Sequence, residues 1–461
     1  MTERSRILSP LADPTYRRLF AAQVVALIGT GLSTVALALL AYDLAGGQAG
    51  TVLGTALALK MVAYVLVAPV VGGFAHRLPR RGLLIGLDLA RAGFIGCLPF
   101  VTEIWQVYAL IFLLNACSAG FTPTFQASIP DVLPDERRYT RALSLSRLAY
   151  DLENLLSPSL AAAALLVLAY HGLFAVNAAA FLLSAGLLLS VTLPAPRSHE
   201  RAGGIRASLS FGIRAYLATP RLRGLLALYM AVAVAGAMVI VNTVVYVRER
   251  LGGSETETAL AFAASGAGSM VVALLLPRLL DRYPDRPFLL TGGVILSAGL
   301  CLGALGPTYL LLLPLWFILG AGSSLIQTPA GRLIRRSCHQ SDRPAVFSAQ
   351  FALSHACWLV AYPLAGWFGS FAGLTWTFLA LGIVGAISVG LAWVLWPSAD
   401  PSEIKHVHAP MGHSHLHVHD AHHQHGHEGW EGPEPHRHPH EHEEFEHAHD
   451  FVIDEHHMRW P

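Results

Sequence analysis

Long apolar stretches recur along almost the entire chain, and each is about as long as a membrane's hydrocarbon core requires. A helix needs about 20 consecutive apolar residues to cross a bilayer. Six such stretches precede a polar, basic segment near the middle of the chain, and six follow it. The pattern predicts an all-α polytopic membrane protein with twelve transmembrane helices, near residues 19–42, 51–74, 82–101, 104–129, 142–170, 172–193, 221–247, 257–277, 287–305, 309–331, 344–368 and 372–396.

The composition supports this prediction and argues against an ordinary soluble protein. Of the 461 residues, 54% are hydrophobic and only 13% are charged, which is too apolar for a typical globular domain. The first apolar stretch begins at Leu19 and is long enough to span, so we interpret it as an anchor helix and not as a cleaved signal peptide. Five scattered cysteines provide no paired spacing for a disulfide framework.

Positive charge is concentrated in alternate loops, which predicts the orientation of the chain. Arginines cluster before the first helix, after the second and fourth, in the central segment, and after the eighth and tenth. Cytoplasmic loops are enriched in Lys and Arg, so both termini are expected in the cytoplasm and the protein in the inner (cytoplasmic) membrane of the cell. Residues 1–396 carry 28 Lys and Arg against 17 Asp and Glu, whereas residues 397–461 carry 3 against 13. The basic charge is thus explained by topology, without a nucleic-acid partner.

The two sets of helices form an internal repeat. His76-Arg77 and Asp281-Arg282 are 205 positions apart, as are Pro158 and Pro363. A shared offset indicates a duplicated six-helix unit. We therefore predict an N-terminal bundle at 1–193, a cytoplasmic central loop at 194–220 with an amphipathic stretch at 208–218, a C-terminal bundle at 221–396 and a tail at 397–461.

The stretch from Gly72 to Arg81 resembles the signature G-x-x-x-D-R-x-x-R-R of the major facilitator superfamily, with His76 in place of the aspartate. Asp281 begins a partial second copy. The resemblance implies a transporter with two six-helix repeats, in which this motif helps to latch the cytoplasmic gate. Asp88, near the same end of the third helix, is expected to join the motif's arginines. The predicted gate residues are His76, Arg77, Arg81, Asp88, Asp281 and Arg282.

The tail is unusually rich in histidine. Eighteen of the chain's 23 histidines lie between residues 406 and 457, in spaced pairs and runs. Neutral imidazole, with a pKa of about 6.5 for its conjugate acid, suits Ni²⁺, Co²⁺ and Zn²⁺. The polar composition of the tail predicts that it is disordered. A transporter body followed by a histidine-rich tail is similar to the NreB-type nickel-resistance exporters. The predicted metal ligands are His406, His408, His413, His415, His417, His419, His422, His423, His425, His427, His436, His438, His440, His442, His447 and His449.

Ionisable residues within the apolar stretches are candidates for transport chemistry, because they are costly in a bilayer. Asp151 and Glu153 lie on the fifth helix and His355 lies near the middle of the eleventh. The structural alternatives are an Arg147–Asp151 ion pair and a histidine that serves only packing. Lys60 in the second helix repels a cationic cargo unless an acid neutralises it or burial lowers the pKa of its ammonium group. The complete set of predicted transport or coupling residues is Asp151, Glu153, Asn154, His355, Asn115, Cys117, Met230 and Asn242.

These observations predict a secondary active exporter of a divalent transition metal. The chain lacks the G-x-x-x-x-G-K-[ST] motif for ATP, so export is expected to use protons as an antiporter. Ni²⁺ is the preferred substrate, with Co²⁺ and Zn²⁺ as alternatives; no enzymatic activity and no cofactor are expected. The partners are lipid, metal ions and protons, and the protein is expected to be a monomer. Two rival hypotheses are a drug or siderophore exporter whose tail only buffers or senses metal, and a membrane-anchored metal sensor.

Overall fold

The computed structural model contains six long helices in the first half of the chain. It describes residues 9–74, 79–193, 204–280, 282–338, 343–400, 403–408, 411–417, 436–442, 445–450, 452–453 and 460. The six helices are α1 (Pro14–Ala45), α2 (Ala49–Phe74), α3 (Arg80–Cys97), α4 (Ile104–Val132), α5 (Glu136–Ala164) and α6 (Tyr170–Leu189).

The second half repeats this plan after a short amphipathic helix, which we name the linker helix (Gly204–Ala218). It contains the predicted amphipathic stretch 208–218 and begins four residues before it. Its Tyr216 hydroxyl is hydrogen-bonded to the side-chain oxygen of Gln350. The six long helices that follow are α7 (Pro220–Val245), α8 (Glu255–Leu280), α9 (Asp285–Gly303), α10 (Tyr309–Arg336), α11 (Arg343–Ala372) and α12 (Leu374–Leu395).

These twelve helices confirm the predicted all-α fold. Among the described residues, ten continuous stretches are long and apolar enough to cross a membrane, and the first of them, Pro14–Val67, includes all of α1 and most of α2. The polar α5 is not among them, because charged residues crowd its first half. This helix begins at Glu136, six residues before the predicted start, since Asp135 caps it by accepting a hydrogen bond from the Arg138 amide at 2.8 Å.

Close helix contacts recur at equivalent positions of the two halves. A Cβ on Gly31 of α1 would lie 1.8 Å from Ser157 Oγ of α5. A Cβ on Gly236 of α7, 205 positions later, would lie 2.3 Å from the Trp358 ring of α11. Both glycines let two helices approach more closely than any side chain would allow. The first and fifth helices of each half therefore pack in the same way, as expected of a repeat.

Successive helices alternate in direction, which defines two ends of the bundle. We name the end that carries Pro14, Leu189, Pro220 and Leu395 the terminal side, and the opposite end the far side. The halves approach closely near the far side, where α2 meets α11. A Cβ on Gly366 would lie only 2.3 Å from the Gly50 carbonyl oxygen. This contact holds the far side closed.

The described residues of the tail form four short strands, and the disorder of the tail as a whole stays a prediction. β1 (Glu403–His408) pairs with β4 (Phe445–Asp450), and β2 (Met411–His417) pairs with β3 (His436–His442), both antiparallel. The His-x-His alternation has the period of two that suits a strand. Pairing of the strands provides hydrogen bonds for their backbone N–H and C=O groups. Beyond the strands, Val452 and Ile453 are buried.

Candidate functional site

A lysine and a glutamate interact electrostatically inside the first half. Lys60 on α2 and Glu153 on α5 are both half-buried, and each is the electrostatic partner of the other. Gly31 of α1 leaves space for this arrangement, because a Cβ there would lie 3.2 Å from Glu153 Oε1. Glu153 is thus an acid close enough to act on the charge of Lys60, which the sequence alone did not reveal.

His355 of the second half lies next to the helix that carries Lys60. Its half-buried ring on α11 lies 5.5 Å from the Tyr64 ring on α2, one helical turn beyond Lys60. The charge on Lys60 also acts on His355. The Phe351 ring packs 3.9 Å from the imidazole and 6.0 Å from Tyr64, measured between ring centroids. We name Lys60, Glu153, Tyr64 and His355 the central cluster.

The hydrogen bond of His355 indicates which of its nitrogens is available. Its Nδ1 lies 2.7 Å from the Phe351 carbonyl oxygen. A carbonyl oxygen can only accept, so Nδ1 carries the proton and donates it. In the neutral ring, Nε2 then keeps its lone pair. His355 can therefore offer Nε2 to a cation or to a hydrogen-bond donor.

Tyrosine and amide groups of the first half surround the glutamate. Tyr150, one turn before Glu153 on α5, is hydrogen-bonded to Thr122 of α4 and to Gln23 of α1. Gln23 also accepts a hydrogen bond from Ser146 Oγ at 3.0 Å. These contacts join α5 to α1 and to α4. Asp151 and Asn154 belong to the same helix, but their side chains lie outside the described part of the structure.

Asp88 and Arg91 form a second charged pair, buried on α3. Arg91 donates to Asp88, which also accepts from Ser184 Oγ of α6 at 2.7 Å. The Arg91 guanidinium lies 4.1 Å from the Phe121 ring centroid and 4.4 Å from that of Phe181. Asp88 is therefore held by Arg91, three residues away on the same helix, and by Ser184. Its place in a gate network with Arg77, Arg80 or Arg81 stays a prediction.

The other predicted transport residues are more dispersed. Asn115 donates to the Ile111 carbonyl oxygen at 2.8 Å within α4, and Asn242 of α7 donates to the Ala365 carbonyl oxygen of α11 at 3.0 Å. Asn242 is buried where α2, α7 and α11 meet, which is a packing position. Cys117 is half-buried near Arg91, and Met230 packs against the core of the second half. None of these four is seen in contact with the central cluster among the described residues.

Comparison with known proteins identifies the architecture. The sequence model of the Major Facilitator Superfamily matches residues 19–248 and 226–417. The chain belongs to the Major Facilitator Superfamily. A crystal structure of a bacterial homologue of the human lysosomal transporter Spinster, inward-facing and unoccupied, superposes with a TM-score of 0.66 at 14% identity over 86% of this chain and 98% of that one. The nucleoside transporter NupG gives a TM-score of 0.64 at 12% identity over 83% and 98%.

Curated relatives of this superfamily member are also transporters by name. An uncharacterized MFS-type transporter of Bacillus subtilis, YfiS, is 24% identical over 341 residues, which is 71% of this chain and 80% of that protein. Macrolide efflux protein A of Streptococcus pyogenes is 26% identical over 149 residues, covering 31% of this chain and 36% of that protein. The family and its relatives indicate a multi-pass membrane transporter and not an enzyme.

Superfamily transporters move their two halves around a central site, and the polar contacts show which side is closed here. On the far side, Thr51 donates to Ser370 at 2.6 Å and Trp367 donates to Thr55 at 2.9 Å, joining α2 to α11. The Arg248 guanidinium also lies 5.1 Å from the Tyr42 ring centroid. The ion pairs seen among the described side chains all join residues of the same half.

The terminal side carries one ion pair in each half, at equivalent positions but with exchanged charges. Arg80 of α3 pairs with Asp131 of α4. The residues 205 positions later are Asp285 of α9 and Arg336 of α10, whose charged atoms are 4.0 Å apart. Arg332 lies closer to Asp285, at 3.4 Å. These pairs were not predicted from the sequence, although the offset of 205 positions already related Arg80 to Asp285 and Asp131 to Arg336.

The structure describes two of the remaining predicted gate residues, Arg81 and Arg282. Arg81 donates to the Leu188 and Leu189 carbonyl oxygens at the end of α6. Arg282 follows α8 in a turn, with its amide 3.0 Å from the Leu279 carbonyl oxygen. His76, Arg77 and Asp281 lie outside the described residues. The gate role of this set stays a prediction.

The tail strands place several predicted metal ligands opposite one another. In the β2–β3 pair, His413 is opposite His440, His415 is opposite His438, and His417 is opposite His436. Among the side chains that the structure describes, no group of three or more His, Cys, Asp or Glu is arranged to hold a metal. The tail histidine side chains are not among those described. His419, His422, His423, His425 and His427 lie outside the described residues altogether.

Proposed function

We propose that this transporter exports a divalent transition metal, with Ni²⁺ preferred and Co²⁺ or Zn²⁺ as alternatives, from the cytoplasm in exchange for protons. The observation that carries the proposal is the tail, where 18 of the 52 positions from His406 to His457 are histidine. Neutral imidazole nitrogen is a good ligand for these ions. The opposed histidines of β2 and β3 support it, because partners in an antiparallel pair are close neighbours.

The central cluster supplies groups suited to the transport step. Glu153 belongs to the first half and His355 to the second, so movement of the halves changes the distance between them. A metal needs nitrogen or oxygen ligands to replace its water, and those ligands release it when they are protonated. Glu153 and the Nε2 atom of His355 have this chemistry. Protons arriving from the far side would then exchange for the metal.

Inverted membrane vesicles provide the test. With an acidic interior, wild-type vesicles should accumulate radioactive Ni²⁺, and His355→Ala should lose this uptake. His171→Ala is the matched control, because His171 is exposed at the far side and should leave uptake unchanged. No gradient-driven uptake of Ni²⁺, Co²⁺ or Zn²⁺ by well-expressed wild-type protein would refute the proposal.

The second candidate is export of an organic molecule, with the tail acting as a metal buffer or sensor. Two observations favour it: the macrolide efflux relatives, and the rings of Tyr64 and Phe351 beside His355. Aromatic side chains commonly line sites for apolar ligands. Cells expressing the protein without residues 401–461 separate the two candidates. An organic exporter should keep its full drug-resistance profile, whereas a metal exporter should show weaker nickel tolerance.

A further inference from the structure

One buried arginine of the second half contacts both ends of the histidine-rich tail. Arg221, near the start of α7, is only 2% exposed. Its Nη1 donates a hydrogen bond to Asp400 Oδ1 at 3.2 Å, where the tail begins. The guanidinium carbon also lies 5.1 Å from the centroid of the Trp460 ring, which is within the range of cation–π attraction. Arg221 thus holds residues that lie on either side of all four tail strands.

Apolar side chains beyond the last strand add to this attachment. Val452 and Ile453 follow β4 closely in the sequence, and both are buried. Ile453 belongs to the main hydrophobic core of the helices, and Trp460 packs against that core. Removal of apolar surface from water favours these contacts. We name Val452, Ile453 and Trp460 the C-terminal clasp.

Strand register brings the two ends of the tail together at the body of the protein. Glu403 is opposite Asp450 in the β1–β4 pair. Asp400 precedes Glu403 by three residues, Ile453 follows Asp450 by three, and three residues span at most about 11 Å. The β1–β4 pair therefore begins at the terminal side of the second half, and the β2–β3 pair follows it along both strands. We name these four strands the histidine arm.

The base of the histidine arm is also part of an ion-pair network. Asp400 pairs with Arg336 of α10 as well as with Arg221, and Arg336 lies 4.0 Å from Asp285 of α9. In the part of the chain that the structure describes, the ion pairs of the tail thus reach only the second half. The arm is expected to move with that half when the two halves move.

We propose that the C-terminal clasp docks on the second half at Arg221 and holds the histidine arm at the terminal side, where metal bound by the arm passes to the transport path. Delivery of metal rests on the proposed metal export, whereas docking does not. A chelating segment that is fixed at both ends explores a smaller volume than one tethered at a single end, which raises the local metal concentration.

A distance measurement between two spin labels tests the docking without metal. The labels are attached to cysteines introduced as Arg335→Cys, at an exposed position of α10, and Pro461→Cys, after removal of the five native cysteines. The parent protein should give one narrow distance distribution. Trp460→Ala and Ile453→Asp should each broaden it about twofold or more, because they remove clasp contacts. Trp430→Ala, at the other tryptophan of the tail, is the matched control and should leave it unchanged.

Two results of this measurement would overturn the docking. One is a broad distribution in the parent protein, and the other is an equally narrow one in both clasp variants. Chelator present throughout keeps the arm free of metal, so neither result depends on transport.

Nickel uptake by inverted vesicles tests the delivery. Trp460→Ala should raise the KM for Ni²⁺ about three- to tenfold and leave the maximum rate unchanged, because the arm still binds metal but no longer holds it at the terminal side. Trp430→Ala should keep the wild-type KM. An unchanged KM in Trp460→Ala protein that has lost its docking would overturn the delivery role. Absence of nickel uptake by the wild type would instead refute metal export, and the spin-label distances would still decide the docking.

Discussion

Replacement of Gly366 by alanine should open the far side of the transporter. The added methyl group would lie 2.3 Å from the Gly50 carbonyl oxygen and 3.1 Å from the Gly54 Cα atom, whereas ordinary contacts begin at 3.4 Å. Both obstacles are backbone, so α2 and α11 must separate by about 1 Å to accept it. Overpacking of this kind costs about 1–3 kcal/mol. The ratio of far-side-closed to far-side-open protein should therefore fall by about 5- to 150-fold.

A disulfide crosslink across the same contact measures this ratio. The hydroxyl oxygens of Thr51 and Ser370 are 2.6 Å apart, so cysteines at these positions are close enough to be oxidised together when the far side is closed. The five native cysteines are removed first. Gly366→Ala should slow crosslinking, whereas Gly93→Ala should not, because nothing lies within 4 Å of a Cβ on Gly93. Equal crosslinking rates in the parent protein and Gly366→Ala would refute the reasoning.

Three further outcomes are expected. Truncation after Trp396 should lower the thermal midpoint in detergent more than truncation after Asp400, because Asp400 pairs with Arg221 and Arg336 and accepts from the Trp396 indole; equal midpoints would contradict this. Asp285→Ala should cost about 1–2 kcal/mol of stability, since it removes the shared partner of two arginines of α10 that are themselves exposed to solvent, while Arg335→Ala, at an exposed position, should cost little. The segment 397–461 should bind several Ni²⁺ ions at pH 7.5 and lose them below about pH 6, because falling pH protonates imidazole nitrogen; calorimetry that detects no binding at pH 7.5 would contradict the metal assignment.

The spanning helices could be predicted closely because one physical requirement determines them. A helix must be apolar over the thickness of the bilayer, and α2, predicted at 51–74, extends over Ala49–Phe74. The largest error concerns α5, whose first turns are charged and were read as a loop. In the tail, the alternation of histidine with other residues has the period of a strand, and the described strands follow it; the disorder expected from composition stays a prediction for the tail as a whole.

The candidate site could be predicted only in part. Glu153 and His355 were identifiable because an ionisable side chain within an apolar helix demands an explanation. The partner of Lys60 was not identifiable, because α2 and α5 are distant in sequence and their relative rotation depends on packing at Gly31. The hydrogen-bond acceptor of Asn242 was not identifiable for the same reason, since only the approach of α11 provides it at Ala365. The Asp285–Arg336 pair could have been predicted from the repeat offset, because these residues lie 205 positions after Arg80 and Asp131.

Simultaneous recording of metal uptake and internal pH in inverted vesicles tests the central claim most directly. The vesicles hold an acidic interior, no ATP is present, and nickel chloride is added outside. For the wild type, we expect uptake accompanied by proton release from the interior, and neither signal in Glu153→Gln or His355→Ala. Wild-type coupling in both variants would contradict the claim that the central cluster joins metal movement to proton movement.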